Sequence, residues 1–148
     1  MSKGRRSGGF TVGDLRAELK GGKRVPFYLL HGAEDFEREL TATWLIKTLA
    51  PTAAGDFNLN VFHGDSLVVE DFLKVYQAYP MMSPHRLVIL KSCEKLSMGN
   101  CRDLELICNY PAETTLLIAS GGKVDMRSKF FSALAENGHA IEFRIPYE

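Results

Sequence analysis

Short apolar runs alternate with amphipathic segments along the chain. Five of the runs are predicted to be β-strands, at residues 27–31, 57–62, 87–91, 115–120 and 141–145. Runs such as LVIL and TLLIA lack the period of two that marks a half-buried strand, and they are typical of strands covered on both faces. Because helical patterns separate the runs, the sequence predicts an α/β fold with a parallel sheet, right-handed crossovers and helices on both faces.

The first two helical segments have recognisable ends. Thr11 and Asp14 resemble a capping box, which opens a short amphipathic helix that Gly21 and Gly22 bring to an end. The segment 34–49 has apolar residues around most of its helical wheel, so we expect it to be covered on more than one side.

Three further helices are predicted downstream. The first should end before Pro80, and its residues at helical spacing are Val69, Phe72, Leu73 and Tyr76, with Phe72 and Leu73 in the core. The second lies near residues 100–109, and the third follows Asp125 as its N-cap and closes at Gly138. The inward residues predicted for the third are Met126, Phe130, Ala133 and Leu134.

The composition fits one domain. The 148 residues, 45% of them hydrophobic, suffice for one core, and we assign residues 1–9 to a disordered lead-in and residues 10–148 to the domain. Eighteen basic residues balance eighteen acidic ones, so the chain lacks the positive excess of a dedicated nucleic-acid binder. There is no long apolar stretch and no CxxC pair among the three cysteines. These features predict a soluble protein of the reducing cytoplasm.

The turn after the first strand is where a phosphate-binding loop would lie, because open parallel sheets place their sites at the carboxyl ends of strands. A GxxxxGK[ST] loop beginning at Gly32 would need glycine, lysine and a hydroxyl where this chain has Glu37, Arg38 and Glu39. The acidic side chains suit the positive end of a helix dipole but repel a triphosphate. We interpret the segment as a degenerate, non-binding loop with acidic capping, and predict no nucleotide cofactor.

The end of the third strand leads to the same prediction. In a phosphate-loop ATPase this strand ends in acidic residues that hold magnesium. Here it ends in Lys91 and Ser92, with Glu94 further along the chain. A lysine at this point opposes a bound metal ion.

In their order and spacing, several phrases of the chain resemble the N-terminal domain of the DNA polymerase III delta subunit family. The phrases are FYLLHGAEDFERE, DFNLNVFHGD, RLVILKSCEKL, TTLLIASGGKVDMRSKFFSAL and AIEFRIPYE, and together they cover residues 25–148. The resemblance implies a five-stranded, Rossmann-like AAA+ core with strand order 5-1-4-3-2. It also implies that the family's later helical and collar domains are absent, so we expect the chain to be a fragment.

In this family the delta subunit opens the sliding clamp without hydrolysing ATP. The resemblance therefore implies a non-catalytic clamp-loader domain that binds the sliding clamp (beta subunit) and helps to open it during DNA replication. The other partners it implies are the gamma/tau and delta prime subunits and, indirectly, DNA. No intrinsic ATPase is expected, although the DNA polymerase III holoenzyme to which family members belong is a nucleotidyltransferase.

Members of the family bind the clamp through an apolar pair that follows the helix before the third strand. The corresponding segment, QAYPMMSPHR, places Met81 and Met82 at this pair, with Tyr79 and Pro80 as further candidate contacts. An apolar pair behind a helix that proline has stopped fits the role of exposed anchors for a hydrophobic pocket. The alternative interpretation is that the two methionines fill the edge of the core.

A basic cluster follows the fourth strand and consists of Lys123, Arg127 and Lys129. It is either a solvated helix start or a contact to a neighbouring subunit or to DNA phosphate. The histidines are scattered, without the spacing of a zinc site, so no metal is predicted; they are His31, His63, His85 and His139.

Two alternative functions stay open beside clamp binding. One is a divergent P-loop-like ATPase domain that uses Arg38 for phosphate and Glu94 for metal. The other is a DNA-binding module built on the basic cluster, against which the balanced net charge argues.

Overall fold

The computed structural model describes residues 9–50 and 58–146 as an α/β arrangement of three layers. Its strands are β1 (Phe27–His31), β2 (Leu59–His63), β3 (Arg86–Lys91), β4 (Thr115–Gly121) and β5 (His139–Glu142). Its helices are α1 (Val12–Lys20), α2 (Asp35–Leu49), α3 (Val69–Gln77), α4 (Met98–Asn109) and α5 (Lys129–Asn137), with a 3-10 turn at Cys93–Lys95. Residues 1–8 of the predicted lead-in and residue 57 of the predicted second strand lie outside the described residues.

The strands lie in the order β2-β3-β4-β1-β5, and every neighbouring pair is parallel. This order confirms the predicted arrangement 5-1-4-3-2. Alternate residues of β1 face two separate cores, with Phe27 and Leu29 on one side and Tyr28 and Leu30 on the other. Burial on both faces explains why the central strands are continuous apolar runs.

Helices cover both faces of the sheet, as predicted. α3, α4 and α5 pack on one face, in a core that includes the fully buried rings of Phe72 and Phe130. α1 and α2 pack on the other face, where Leu15 and Leu45 are fully buried. In the part of the chain that the structure describes, no helix has the length and apolar character needed to cross a bilayer.

The start of α5 differs from the prediction. Ser128 is its N-cap and accepts a hydrogen bond from the backbone N–H of Phe131 at 3.3 Å. Asp125 instead belongs to a turn that precedes the helix, in which its carboxylate accepts from the N–H of Arg127 at 2.9 Å and its carbonyl from the N–H of Ser128 at 3.0 Å. Met126 consequently lies before α5, partly buried against the core, rather than inside the helix.

β5 begins two residues earlier than predicted and ends at Glu142. Gly138 closes α5 so near to β1 that a Cβ atom there would lie 2.1 Å from the carbonyl oxygen of Phe27. Because the chain meets β1 at this point, pairing starts at His139, without an intervening loop.

The first two turns of α2 are covered on one side only, so the prediction of wider cover is wrong there. Phe36 and Leu40 are 68% and 56% exposed. The sheet covers the opposite side of the helix, and α1 reaches α2 only further along, where the Arg16 guanidinium lies 4.3 Å from the centre of the Trp44 ring.

Candidate functional site

The two methionines lie in the connection between α3 and β3, residues 78–85, which we call the α3–β3 loop. Met81 is 55% exposed and Met82 is 84% exposed. Tyr79 is 85% exposed and Pro80 is partly buried. This exposure does not fit the alternative in which the methionines fill the edge of the core. Large apolar side chains grouped on a surface are typical of binding sites.

The side chain of Asn58 holds the middle of the α3–β3 loop. Asn58 is fully buried just before β2. Its Nδ2 donates to the carbonyl oxygen of Met81 at 2.6 Å, and its Oδ1 accepts from the Met81 N–H at 2.7 Å. The loop backbone is therefore bonded to a side chain in the same way as one strand is bonded to its neighbour.

Arg86 holds the start of the same loop. This first residue of β3 is only 7% exposed, and its guanidinium donates to the carbonyl oxygens of Ala78 at 3.4 Å and Tyr79 at 3.3 Å. It also donates to Oδ1 of Asn60 at 2.8 Å. One side chain thus connects the loop to both β2 and β3.

The end of α3 is attached to the strands as well. Thr115, the first residue of β4, donates from its hydroxyl to the carbonyl oxygen of Tyr76 at 2.8 Å. The Tyr76 hydroxyl accepts from the N–H of Ala112 at 3.3 Å, and burial raises the pKa of Tyr76 to about 12. The helix that leads into the loop is therefore bonded to the sheet through neutral groups.

Met82 has a left-handed backbone, with φ at 54°. A side chain rarely adopts this conformation, and it persists where neighbouring contacts hold it. Further along the loop, the ring Nε2 of His85 donates to the carbonyl oxygen of Leu49 at 2.7 Å. Met82 thus lies between two anchored residues, Met81 and His85.

The α3–β3 loop lies at the amino ends of the parallel strands, whereas the degenerate phosphate loop lies at their carboxyl ends. Asn58 precedes β2, and Arg86 and Thr115 begin β3 and β4. The sequence pattern predicted the positions of the methionines but not the roles of these three polar residues. The signal that was available is a polar residue at the start of an apolar strand, where burial demands hydrogen-bond partners.

The turn after β1 is closed by its own chain. Gly32 has φ at 129°, and a Cβ atom there would lie 2.1 Å from the carbonyl oxygen of Phe143. Its N–H donates to the carbonyl oxygen of Gly122 at 3.0 Å, and the N–H of Glu34 donates to that of Phe143 at 3.1 Å. Backbone donors that would surround a phosphate are thus already bonded.

The first turn of α2 is capped by its own acidic side chains. The Glu34 carboxylate accepts from the N–H of Glu37 at 2.7 Å. Arg38, at the position of the phosphate-loop lysine, is 92% buried and turns inward, where it donates to the carbonyl oxygen of Gly32. Its guanidinium also lies 2.8 Å from a carboxylate oxygen of Asp35 and 3.7 Å from one of Glu39.

The residues after β3 make contacts within the chain at the place where an ATPase would hold magnesium. Lys91 is exposed, and Ser92 has a left-handed φ of 53°. The Glu94 carboxylate accepts from the N–H of Gly122 at 3.0 Å. Cys93 is fully buried, and burial raises its pKa to about 12, so the thiol stays protonated. Because its carboxylate bonds to the N–H of Gly122, Glu94 caps the chain just after the end of β4.

Beside the closed turn lies a cavity of about 480 Å³, whose lining includes His31, Lys123, Glu142 and Arg144. His31 is 8% exposed. Burial lowers its pKa, and the nearby Glu142 carboxylate opposes this shift more weakly. Within residues 9–50 and 58–146, no three His, Cys, Asp or Glu side chains converge as a metal site would require.

The basic cluster lies at the turn before α5. Arg127 is paired with Asp125, with its Nε 3.0 Å from one carboxylate oxygen. Hydrogen bonds from Arg127 lower the pKa of Asp125. Lys123 and Lys129 are exposed. The three cations border a groove of about 740 Å³ between α4 and the first turn of α5.

The parallel sheet in this order, with a phosphate-loop position closed by backbone hydrogen bonds and by Arg38, defines an AAA+-like domain. Two solved structures from Thermotoga maritima share the fold at low sequence identity. One is a DNA polymerase III gamma subunit-related protein, with a TM-score of 0.63, 12% identity and coverage of 93% of this chain and 47% of that one. The other is a Holliday junction branch migration motor, with a TM-score of 0.56, 14% identity and coverage of 88% and 41%.

The chain belongs to the DNA polymerase III delta subunit family, whose model matches residues 28–144. It is 30% identical over 142 residues to DNA polymerase III subunit delta of Bacillus subtilis, covering 88% of this chain and 41% of that protein. It also resembles the solved DNA clamp loader delta protein of Bacillus subtilis, with a TM-score of 0.78, 26% identity and coverage of 90% and 42%. The chain therefore spans about two fifths of the length of these relatives.

Proposed function

We propose that this chain is the clamp-binding domain of a delta subunit and acts in DNA replication as a non-catalytic module of the clamp loader. The observation that carries the proposal is the exposure of Met81 and Met82 on a loop that buried side chains hold in place. Burial of a methionine side chain in a partner's pocket is worth about 1.5–3 kcal/mol. Methionine also adapts to irregular pockets.

The proposed partner at this loop is the sliding clamp, the beta subunit, and binding there helps to hold one clamp interface open. Tyr79 and Pro80 add contacts beside the methionine pair. The loop lies at the amino ends of the strands, so a clamp bound there does not occupy their carboxyl ends. We assign that end to contacts with the gamma/tau and delta prime subunits, and we place the protein in the cytoplasm, with DNA an indirect partner.

Affinity for the sliding clamp of the same organism tests the proposal. Met81→Glu and Met82→Glu each place a charge where an apolar pocket must accept the side chain, so we expect Kd to rise at least about 100-fold. Met98→Glu is the matched control, because Met98 is 83% exposed at the start of α4, away from the loop. Parent-like binding by both loop variants would show that the assigned surface is wrong.

A further inference from the structure

We propose that Asn58 and Arg86 are positioning residues for clamp binding. Their side chains hold the α3–β3 loop in the shape that presents Met81 and Met82, so the loop does not have to become ordered when the clamp binds. This inference rests on the proposed function. Neither residue needs to touch the clamp, since both are buried, at 0% and 7% exposure.

Both hydrogen bonds of the Asn58 side chain are made to the backbone of an exposed residue, Met81. Met81 is 55% exposed, and it is its backbone N–H and carbonyl oxygen that bond to Asn58. Asn58, by contrast, is fully buried, and a buried amide is costly unless both of its polar atoms are bonded. The consequence of this arrangement is geometric: it fixes the backbone of Met81 against the start of β2.

Arg86 adds a second point of attachment, at the loop residues that precede the methionine pair. Its planar guanidinium reaches two successive carbonyl oxygens, those of Ala78 and Tyr79, and the side chain of Asn60. Arginine is suited to this because its donors form a rigid fork, which the single ammonium of lysine does not provide. The backbone from 78 to 81 is therefore held from both β2 and β3.

Met82 has a left-handed backbone, which the loop would not keep without these attachments. A free loop would leave this conformation most of the time, because an L-residue with φ at 54° is disfavoured. For a partner that binds only the presented shape, the apparent Kd is the intrinsic Kd divided by the fraction of molecules that have this shape. Holding Met81 and the preceding backbone keeps the fraction of molecules with the presented shape high.

Affinity of this chain for the sliding clamp, measured with loop-support variants that keep both methionines, tests the inference. Asn58→Ala removes both bonds to Met81, and we expect Kd to rise about tenfold. Arg86→Lys keeps the charge but loses the fork, and we expect a rise of about three- to tenfold. The matched control is Asn100→Ala, which removes a side-chain bond to another loop, at the carbonyl oxygen of Leu67, and should leave Kd unchanged.

A double-mutant cycle separates positioning from general weakening of the fold. In a background that carries both Met81→Ala and Met82→Ala the presented side chains are gone, so Asn58→Ala should raise Kd by less than about threefold. A residue that only stabilises the fold would produce the same factor in both backgrounds, and this result would overturn the inference.

Circular dichroism and thermal unfolding show which variants are folded at the assay temperature, and Arg86→Lys carries the test if Asn58→Ala does not fold. Folded support variants that bind the clamp like the parent, while Met81→Glu and Met82→Glu lose binding, would overturn the inference alone. If the methionine variants themselves bind like the parent, the proposed function fails, and the positioning role fails with it.

Discussion

The buried side chain of Asn58 is bonded through both of its polar atoms to the backbone of Met81, a residue 23 positions along the chain and exposed on the surface. The pair joins the start of β2 to the loop that follows α3. Because the amide group reproduces the donor and acceptor of a peptide unit, it extends strand-like pairing beyond the end of the sheet. The backbone of the exposed loop is thereby fixed to a fully buried residue.

This bond has a direct consequence for hydrogen exchange. The Met81 amide should be protected although its residue is exposed, and Asn58→Ala should speed its exchange by about tenfold or more. Native-state exchange followed by NMR measures this. The Glu37 amide, bonded to the Glu34 carboxylate at the opposite end of the sheet, should exchange at the same rate in both proteins. Equal Met81 rates would mean that Asn58 does not hold the loop.

Nucleotide titration is expected to give no heat of binding. The N–H groups of Gly32 and Glu34 are bonded within the chain, and the Arg38 guanidinium is turned inward. Calorimetry with magnesium-ATP at concentrations up to about 1 mM checks this expectation. An affinity in the micromolar range would support the alternative of a divergent ATPase domain and contradict the interpretation of the closed turn.

Replacement of Gly32 by alanine is expected to destabilise the fold by more than about 3 kcal/mol. Its φ lies at 129°, and a Cβ atom would overlap the carbonyl of Phe143. Gly13→Ala is the matched control, because a Cβ there meets nothing nearer than 3.7 Å in the first turn of α1, and it should stabilise by at most about 1 kcal/mol. Urea unfolding of the three proteins gives both values. A Gly32→Ala protein as stable as the parent would refute the close approach.

The burial of His31 predicts a pH-dependent part of the stability. Its pKa in the folded protein lies below the ordinary 6.5, so the unfolded chain takes up a proton first as the pH falls. The contribution is therefore fully present above about pH 6.5 and is lost below it. Urea unfolding of the parent and of His31→Gln at pH 5 to 8 should show the parent losing stability relative to the variant below about pH 6.5. If the free energies of unfolding of the two proteins change with pH in the same way, His31 does not have this role.

The basic cluster is expected to give only weak binding to DNA by itself. Arg127 is paired with Asp125, and the chain has no net charge. Fluorescence anisotropy with duplex DNA at about 150 mM salt should show no binding tighter than about 10 µM. Strong, salt-dependent binding that Lys129→Glu abolishes would instead support the DNA-binding alternative.

Local pattern was sufficient for most of the fold. The apolar runs located the five strands found in the described residues, and β1 was predicted at its observed bounds, because strands buried on both faces must be continuously apolar. The errors lie where tertiary contact decides. Asp125 and Ser128 are both good N-caps by residue type, and only the turn that precedes α5 assigns the role to Ser128.

The sequence by itself determined the α/β class, the absence of the residues that a phosphate loop requires, and the position of the methionine pair. It could do so because these depend on residue type and on spacing along the chain. Only the tertiary structure decided that Met81 and Met82 are exposed, that Arg38 closes its own loop, and that Asn58 and Arg86 hold the methionine loop. The physical reason is distance along the chain: Asn58 and Met81 are 23 residues apart, and it takes the assembled sheet to bring a buried amide to the one backbone segment it bonds.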